Sequence, residues 1–252
     1  MKTVLLGKNL ADIAPLLERY GMTPCPPGET PDVVVAYGGD GALLGAHRAY
    51  PDIPKLPLRD AATAPTCPLH QAEDILRKFA AGELNLSRLP ELRAETSSDS
   101  LSGINDLVIH SLDFASALRC RVFIDGRLYA AEVVGDGVCF SGVHGSTGYY
   151  RSITRTSFCA GVGLAFSNPT EFIGNPVLPA DSSVTVEILR GPGILIADND
   201  PRKIRVEVGE HVTMRQSTRF AEVWGIETFM CPECRRLRRS LRSFSGKCPS
   251  PR

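Results

Sequence analysis

The 252-residue sequence lacks any uninterrupted apolar run of bilayer-spanning length, which excludes a membrane-spanning helix. It also lacks a signal-peptidase site: "MKTVLLGKNLADIAPLLERYG" opens with a lysine and a short apolar run, but charges follow at once. A soluble, cytoplasmic protein is expected. Net charge is absent too, with 28 Lys and Arg against 28 Asp and Glu. That balance hides an asymmetry. From Cys231 onward there are seven basic side chains and one acid, leaving 21 basic against 27 acidic residues, a net of −6, in the first 230. The body is mildly acidic, so nucleic acid is not an expected partner, and "RRLRRSLR" in the basic tail reads as a solvated, frayed end. No internal repeat is present.

A disulfide framework is missing as well. The eight cysteines (25, 67, 120, 139, 159, 231, 234 and 248) are scattered, and Cys120 and Cys139 sit in strand-like apolar surroundings, as reduced core thiols do. Only Cys231-Pro-Glu-Cys234 has metal-ligand spacing. With Cys248 it offers three thiols where a structural zinc takes four ligands, so a fourth would have to come from elsewhere or from a second subunit, and no metal ligand is assigned from the sequence. His47 and His110 read as partly buried helix and strand residues rather than ligands.

What is present is an ordinary globular composition, 43% hydrophobic and 22% charged, arranged in two textures. Residues 3–7 read as a buried strand, 11–20 as an amphipathic helix with Pro15 in its first turns, 33–37 as a second strand, about 42–49 as a helix, 55–60 as a strand and 69–81 as a helix ending at Gly82. Strand and helix alternating in this way predict an α/β domain with a parallel sheet over 1–85. From about residue 86 the segments become strand-length and alternating. "CRVFIDGRLYAAEV" (120–133) predicts a hairpin turning at Asp125-Gly126, and 183–189, 193–198, 203–208, 211–217 and 221–229 read as further strands. The expectation is a β-sandwich-like domain over 86–230, followed by a basic, cysteine-containing tail over 231–252.

The stretch most suggestive of chemistry is "VVVAYGGDGALLGAHRAY" (33–50). A buried strand that ends in glycines and feeds a helix sets bare backbone N–H groups beside a helix N-terminus, a concave site for an anion. Asp40 among those donors would stand beside phosphate, where a carboxylate holds Mg²⁺ or takes a proton from an attacking hydroxyl. Alone, the stretch reads equally well as a structural turn with Asp40 capping the helix.

Two further stretches accompany it. "GINDLVIH" (103–110) places Asn105 and Asp106 at the head of a strand, and "GDGVCFSGVHGSTGYY" (135–150) supplies Asp136 between glycines, a strand, and then Gly145-Ser146-Thr147-Gly148-Tyr149. Alone, Asn105-Asp106 is a strand-opening turn pair. In this order, the three stretches resemble the NAD kinase family, with its GGDG loop, its Asn-Asp or Asn-Glu pair and its GDG-strand-GSTAY segment. "NPVLPADSSVTVEIL" (175–189) and "ILIADND" (194–200) resemble later family segments, so the likeness covers roughly 33–217.

The resemblance implies a two-domain kinase that transfers a phosphoryl group from ATP or polyphosphate, with Mg²⁺ or another divalent metal, to the 2′-hydroxyl of the adenosine ribose of NAD, assembled as a dimer or tetramer. It implies Asp40 as catalytic base; Gly38, Gly39 and Gly41 along the phosphates; Asn105 and Asp106 on the ribose hydroxyls and adenosine; and Asp136 at the nicotinamide end. Thr147, Gly148 and Tyr149 would form the adenine wall, and Asp198 would reach across a subunit interface. Asn199 and Asp200 read as a polar hairpin turn.

The departures are also specific. Ala42 stands where the family has threonine, Gly148 where it has alanine, "RSITRTSF" (151–158) where it has SAGGP, and "KLPLRDAATAPTCPLH" (55–70) where it has a glycine loop. Two alternatives go with them: a lipid or small-molecule kinase of the wider GGDG superfamily, and a catalytically weak NAD(P)-binding protein.

Overall fold

The structure is a computed structural model that describes residues 1–242 except 63, 114 and 230, so Cys248 lies outside the described residues. The chain divides into two compact units, Met1–Ser87 with Glu222–Arg252, and Arg88–Ala221.

In the first unit, β1 (Lys2–Gly7), α1 (Ala14–Arg19), β2 (Thr23–Pro24), β3 (Val33–Tyr37), α2 (Asp40–Ala49), β4 (Lys55–Leu58) and α3 (Ala72–Ala80) form a parallel sheet of order β2-β1-β3-β4 with helices on both faces. All five residues of β3 are buried, because alternate side chains feed two cores. Val33 and Val35 pack with Ile13, Leu17, Ile75 and Leu76 of the α1 and α3 side, while Val34 and Ala36 pack with Ala46 of α2. Pro15 lies in the first turn of α1, where no N–H is needed, and a short 3₁₀ turn precedes it.

The second unit holds most of β5 (Leu86–Glu95), β6 (Ser100–Gly103), β7 (Asp106–Ser111), β8 (Leu118–Ile124), β9 (Arg127–Gly135), β10 (Gly137–Ser141), α4 (Tyr149–Thr154), β11 (Val162–Ser167), β12 (Val177–Leu178), β13 (Val184–Arg190), β14 (Gly193–Ala197), β15 (Ile204–Val206) and most of β16 (His211–Trp224). One sheet runs β12-β11-β10-β7-β14-β15, and β16-β13-β8-β9 form the other, with β5 and β6 alongside. Alternate residues of both sheets, among them Ile109, Phe140 and Leu164 facing Val122, Val186 and Val212, share one core, which makes the unit a sandwich. The β8–β9 hairpin turns at Asp125 and Gly126, both with positive φ (49° and 74°), the backbone of a type I′ turn.

The C-terminal part departs from the sequence expectation. Residues 211–224 form one strand, whose last residues pair in parallel with β4 (Val223 opposite Lys55), so the chain returns to the first unit. The strand expected to run to residue 229 stops at Gly225, whose φ of 61° turns the chain, and α5 (Ile226–Phe229) follows, its first turn closed by Thr228 Oγ1 donating to the Gly225 carbonyl. Arg59 and Asp60 leave the end of β4 rather than extending it, and α6 (Pro232–Arg242) occupies the start of the basic tail. No helix among the described residues is long and apolar enough to cross a membrane.

Candidate functional site

At the end of β3, Gly38 has a φ of 149° and donates its N–H to the Leu58 carbonyl of β4. A Cβ there would stand 3.1 Å from the Ala42 Cβ, so a side chain would crowd the loop as well as strain its backbone. Gly39 is the N-cap of α2 and Asp40 its first residue, so Gly38, Gly39, Asp40 and Gly41 surround the positive end of the helix. The Asp40 side chain is 61% exposed. Its Oδ1 accepts a hydrogen bond from Arg59 Nη2 at 3.0 Å, and Arg59 is almost wholly buried.

Two further contacts fix that arginine. Nη2 also donates to the Phe229 carbonyl at 3.1 Å, and the guanidinium lies 3.5 Å above the Phe229 ring. The neighbouring Asp60 is buried and accepts hydrogen bonds from Asn9 Nδ2 and the Ala62 N–H. The segment that replaces the family's glycine loop therefore delivers a rigid cation to Asp40. The sequence alone assigns Arg59 no role; its signal there is an Arg-Asp pair directly after an apolar strand parallel to the one that carries the GGDG loop.

In the second unit, Asp198 has a left-handed φ of 47° and turns its carboxylate onto three successive backbone donors: the N–H groups of Ile104 and Asn105, each at 2.8 Å, and of Asp106 at 3.1 Å. Gly103 permits this, since a Cβ at that position would lie 2.7 Å from the carboxylate. Asp198 is thus engaged within its own chain. The Asn105 carbonyl accepts from the Gly142 N–H and Ser141 Oγ, while Asn105 Oδ1 is buried with no hydrogen-bond partner among the described residues. A buried acceptor left open in this way suits a ligand that brings a donor. Gly148 closes the group, with the place of a Cβ 3.9 Å from Asp106 Oδ2, and Thr147 ends the short 3₁₀ turn before it.

Burial pushes the Asp106 carboxyl up to about 7, with the Asp198 charge adding to the shift. The sign follows directly. Between about pH 4 and pH 7 the unfolded chain has released this proton and the native chain has kept it, so this residue's contribution to stability falls as pH rises through that window and is flat above it. At ~1.4 kcal/mol per pH unit, the loss is on the order of 4 kcal/mol. Denaturant titrations at pH 5 and pH 8 should therefore show Asp106→Asn gaining stability relative to wild type at the higher pH; parallel pH profiles for the two proteins would contradict the assignment.

A second group gathers residues of β7, α4 and β11. The Tyr149 hydroxyl meets His110 Nε2 at 2.9 Å and Ser167 Oγ at 3.4 Å. Tyr149, Phe166, Ser167, Asn168 and Asn175 line a cleft of about 400 Å³. Asn168 Nδ2 donates to the exposed Asp136 at 2.6 Å, linking that acid to the cleft rim. The fold therefore collects Asn105, Asp106, Gly148 and Asp198 in one place, and Asp136 and Tyr149 around a cleft.

No family model matches the sequence. Among curated proteins, the chain is 30% identical over 218 residues to an NAD kinase of Gemmatimonas aurantiaca, covering 79% of this chain and 71% of that one. It is 27% identical to an NAD kinase of Brucella melitensis (75% and 77% covered) and 24% identical to one of Clostridium beijerinckii (70% and 63% covered). The chain thus spans just under two thirds of the Clostridium protein's length. Among solved structures, an Archaeoglobus fulgidus NAD kinase in complex with ATP matches with a TM-score of 0.73 at 18% identity, covering 93% of this chain and 99% of that one. A yeast NADH kinase complexed with NADH matches with a TM-score of 0.70 at 16% identity, covering 92% and 72%. The two-unit fold is shared with both structures, and the sequence match to the Gemmatimonas protein extends over most of both chains; the chain belongs to the NAD kinase family.

Proposed function

We infer that the chain is an NAD kinase, transferring the γ-phosphoryl group of ATP, or a terminal phosphoryl of polyphosphate, to the 2′-hydroxyl of the adenosine ribose of NAD. The observation that carries this reading is the exposed Asp40 carboxylate at the N-terminus of α2, held by a buried arginine among three glycines. In the reaction a bond forms between the ribose 2′-oxygen and the γ-phosphorus, the bond from that phosphorus to the bridging oxygen breaks, ADP leaves, and the hydroxyl proton passes to Asp40.

The N-terminus of α2 and the backbone of Gly38, Gly39 and Gly41 stabilise phosphate charge. Asn105 and Asp106 would receive the ribose hydroxyls and adenosine, with the open Asn105 Oδ1 taking a donor; Thr147, Gly148 and Tyr149 would form the adenine wall, and Asp136 the nicotinamide end. Asp198 acts by holding the N–H groups of residues 104–106. Mg²⁺ fits the loop as a companion of the donor's phosphates: Asp40 is the carboxylate that would hold it, Oδ1 already faces Arg59, and Ala42 adds no hydroxyl. Bound there, the metal would neutralise charge on the phosphoryl oxygens. A cytoplasmic homo-oligomer, dimer or tetramer, completes the reading.

Purified protein given NAD, ATP and Mg²⁺ and coupled to an NADP-specific dehydrogenase should form NADP; an inert wild type across ATP, polyphosphate, NAD and NADH would defeat the reading. In the same assay Arg59→Ala removes a charged hydrogen bond that fixes Asp40, and kcat should fall about 10- to 100-fold. Arg59→Lys, which keeps the charge but not the planar fork over Phe229, should recover part of the rate. An Arg59→Ala enzyme as active as wild type would remove Arg59 from the site.

A further inference from the structure

The segment that departs most from the family, 55–70, carries a second chemical group besides Arg59. Cys67 caps and His70 ends a 3₁₀ turn (Pro68–His70), while Cys231 directly precedes α6 and Cys234 lies in its first turn. The four ligand atoms all lie within 4.8 Å of one another. His70 Nδ1 is 3.3 Å from Cys67 Sγ and 3.5 Å from Cys234 Sγ, and the two sulfurs are 3.5 Å apart. A disulfide needs about 2.05 Å, whereas a tetrahedral zinc with bonds of about 2.3 Å to sulfur and 2.0–2.1 Å to nitrogen sets its ligand atoms about 3.5–3.8 Å apart. The observed spacings are those of a ligand set with room for an ion at its centre.

Other features agree. The two pairs have matched spacings, Cys-x-x-His and Cys-x-x-Cys, as structural zinc sites do. The Cys67 N–H points at Cys234 Sγ at 3.2 Å, a backbone donor of the kind that a metal-bound sulfur accepts. Cys67 and Cys234 are buried, at 4% and 1% exposure, so the group is enclosed rather than open to substrate. Four protein ligands leave no open position, the mark of a structural rather than a catalytic metal.

We propose that Cys67, His70, Cys231 and Cys234 bind one structural Zn²⁺, which clamps the segment after β4 to the start of α6. The sequence alone offers the three tail thiols and leaves the further ligand to come from elsewhere or from a second subunit; the fold supplies two, Cys67 and His70, from a segment more than 160 residues earlier. The clamp also bears on Asp40. The Phe229 carbonyl and ring that seat Arg59 lie two residues before Cys231, so the metal would anchor the far side of the Arg59–Asp40 pair.

The test is metal analysis of the full chain after dialysis against metal-free buffer. One zinc per chain is expected, with loss of that equivalent in Cys67→Ser and His70→Ala and its retention in Cys159→Ser, an exposed thiol outside the cluster. If the ligand variants fail to fold, Co²⁺ exchanged into the wild type gives the answer through the visible absorption of tetrahedral thiolate-bound cobalt. The proposal is overturned if the wild type carries no stoichiometric metal and gives no such spectrum on cobalt addition, if Cys67 and Cys234 are recovered as a disulfide, or if Cys67 and His70 variants keep their zinc.

Discussion

Asp40→Asn should lower kcat by about 10²–10⁴-fold, the usual worth of a positioned general base, while leaving the fold in place. The substitution keeps the size and position of the side chain at the first residue of α2 and removes its charge and basicity. Stability should change little, because the carboxylate is 61% exposed and its attraction to the helix N-terminus is worth about 0.3–1 kcal/mol. KM for ATP should change far less than kcat, since the substitution removes both a negative charge beside the triphosphate and a carboxylate that would hold Mg²⁺, and the two effects oppose each other. This pattern, a collapsed kcat with intact melting, separates a proton-accepting Asp40 from one that merely caps the helix. Capping would instead show as a lower melting temperature with kcat near wild type.

A large loss of stability is expected of Asp198→Ala. That change strips the acceptor from three successive N–H groups at the entrance to β7, and leaving buried donors unsatisfied costs about 1–3 kcal/mol each. Part of the loss is offset, because the Asp198 charge helps to keep Asp106 protonated. A net loss of about 3 kcal/mol or more is expected in denaturant unfolding, along with a fall in the Asp106 pKa that stops short of the ordinary carboxylate range, since burial is the larger cause of its rise. Gly103→Ala should reproduce the effect from the other side, through a Cβ 2.7 Å from the same carboxylate. An Asp198→Ala protein as stable as wild type would show that the loop at 103–106 holds its shape without it.

Most of the architecture was legible because its signals are local. The buried run Val33–Tyr37 ending in glycines announces a strand feeding a helix, and Asp125-Gly126 between alternating runs announces a hairpin. The candidate site residues were named from motifs, each short enough to place on an element. What remained hidden depends on contacts between distant positions. The value of Arg59 lies in Phe229, 170 residues later, and Cys67 and His70 gain meaning only beside Cys231 and Cys234. Asp198 could be placed in the family pattern from the sequence, but its own-chain partners are backbone N–H groups, which leave no trace in side-chain identity. The end of β16 was misjudged for a different reason. "AEVWGIETF" has strand composition throughout, and a single glycine with positive φ converts its second half to a helical turn that seats Arg59.

The central claim, phosphorylation of the adenosine ribose of NAD, is tested most directly by phosphorus NMR of the product formed by the wild-type protein from NAD, ATP and Mg²⁺. A new phosphomonoester resonance coupled to the 2′-carbon position of the adenosine ribose is expected, absent with Asp40→Asn. Unchanged NAD with either ATP or polyphosphate as donor, or a phosphate placed on any other hydroxyl, would contradict it.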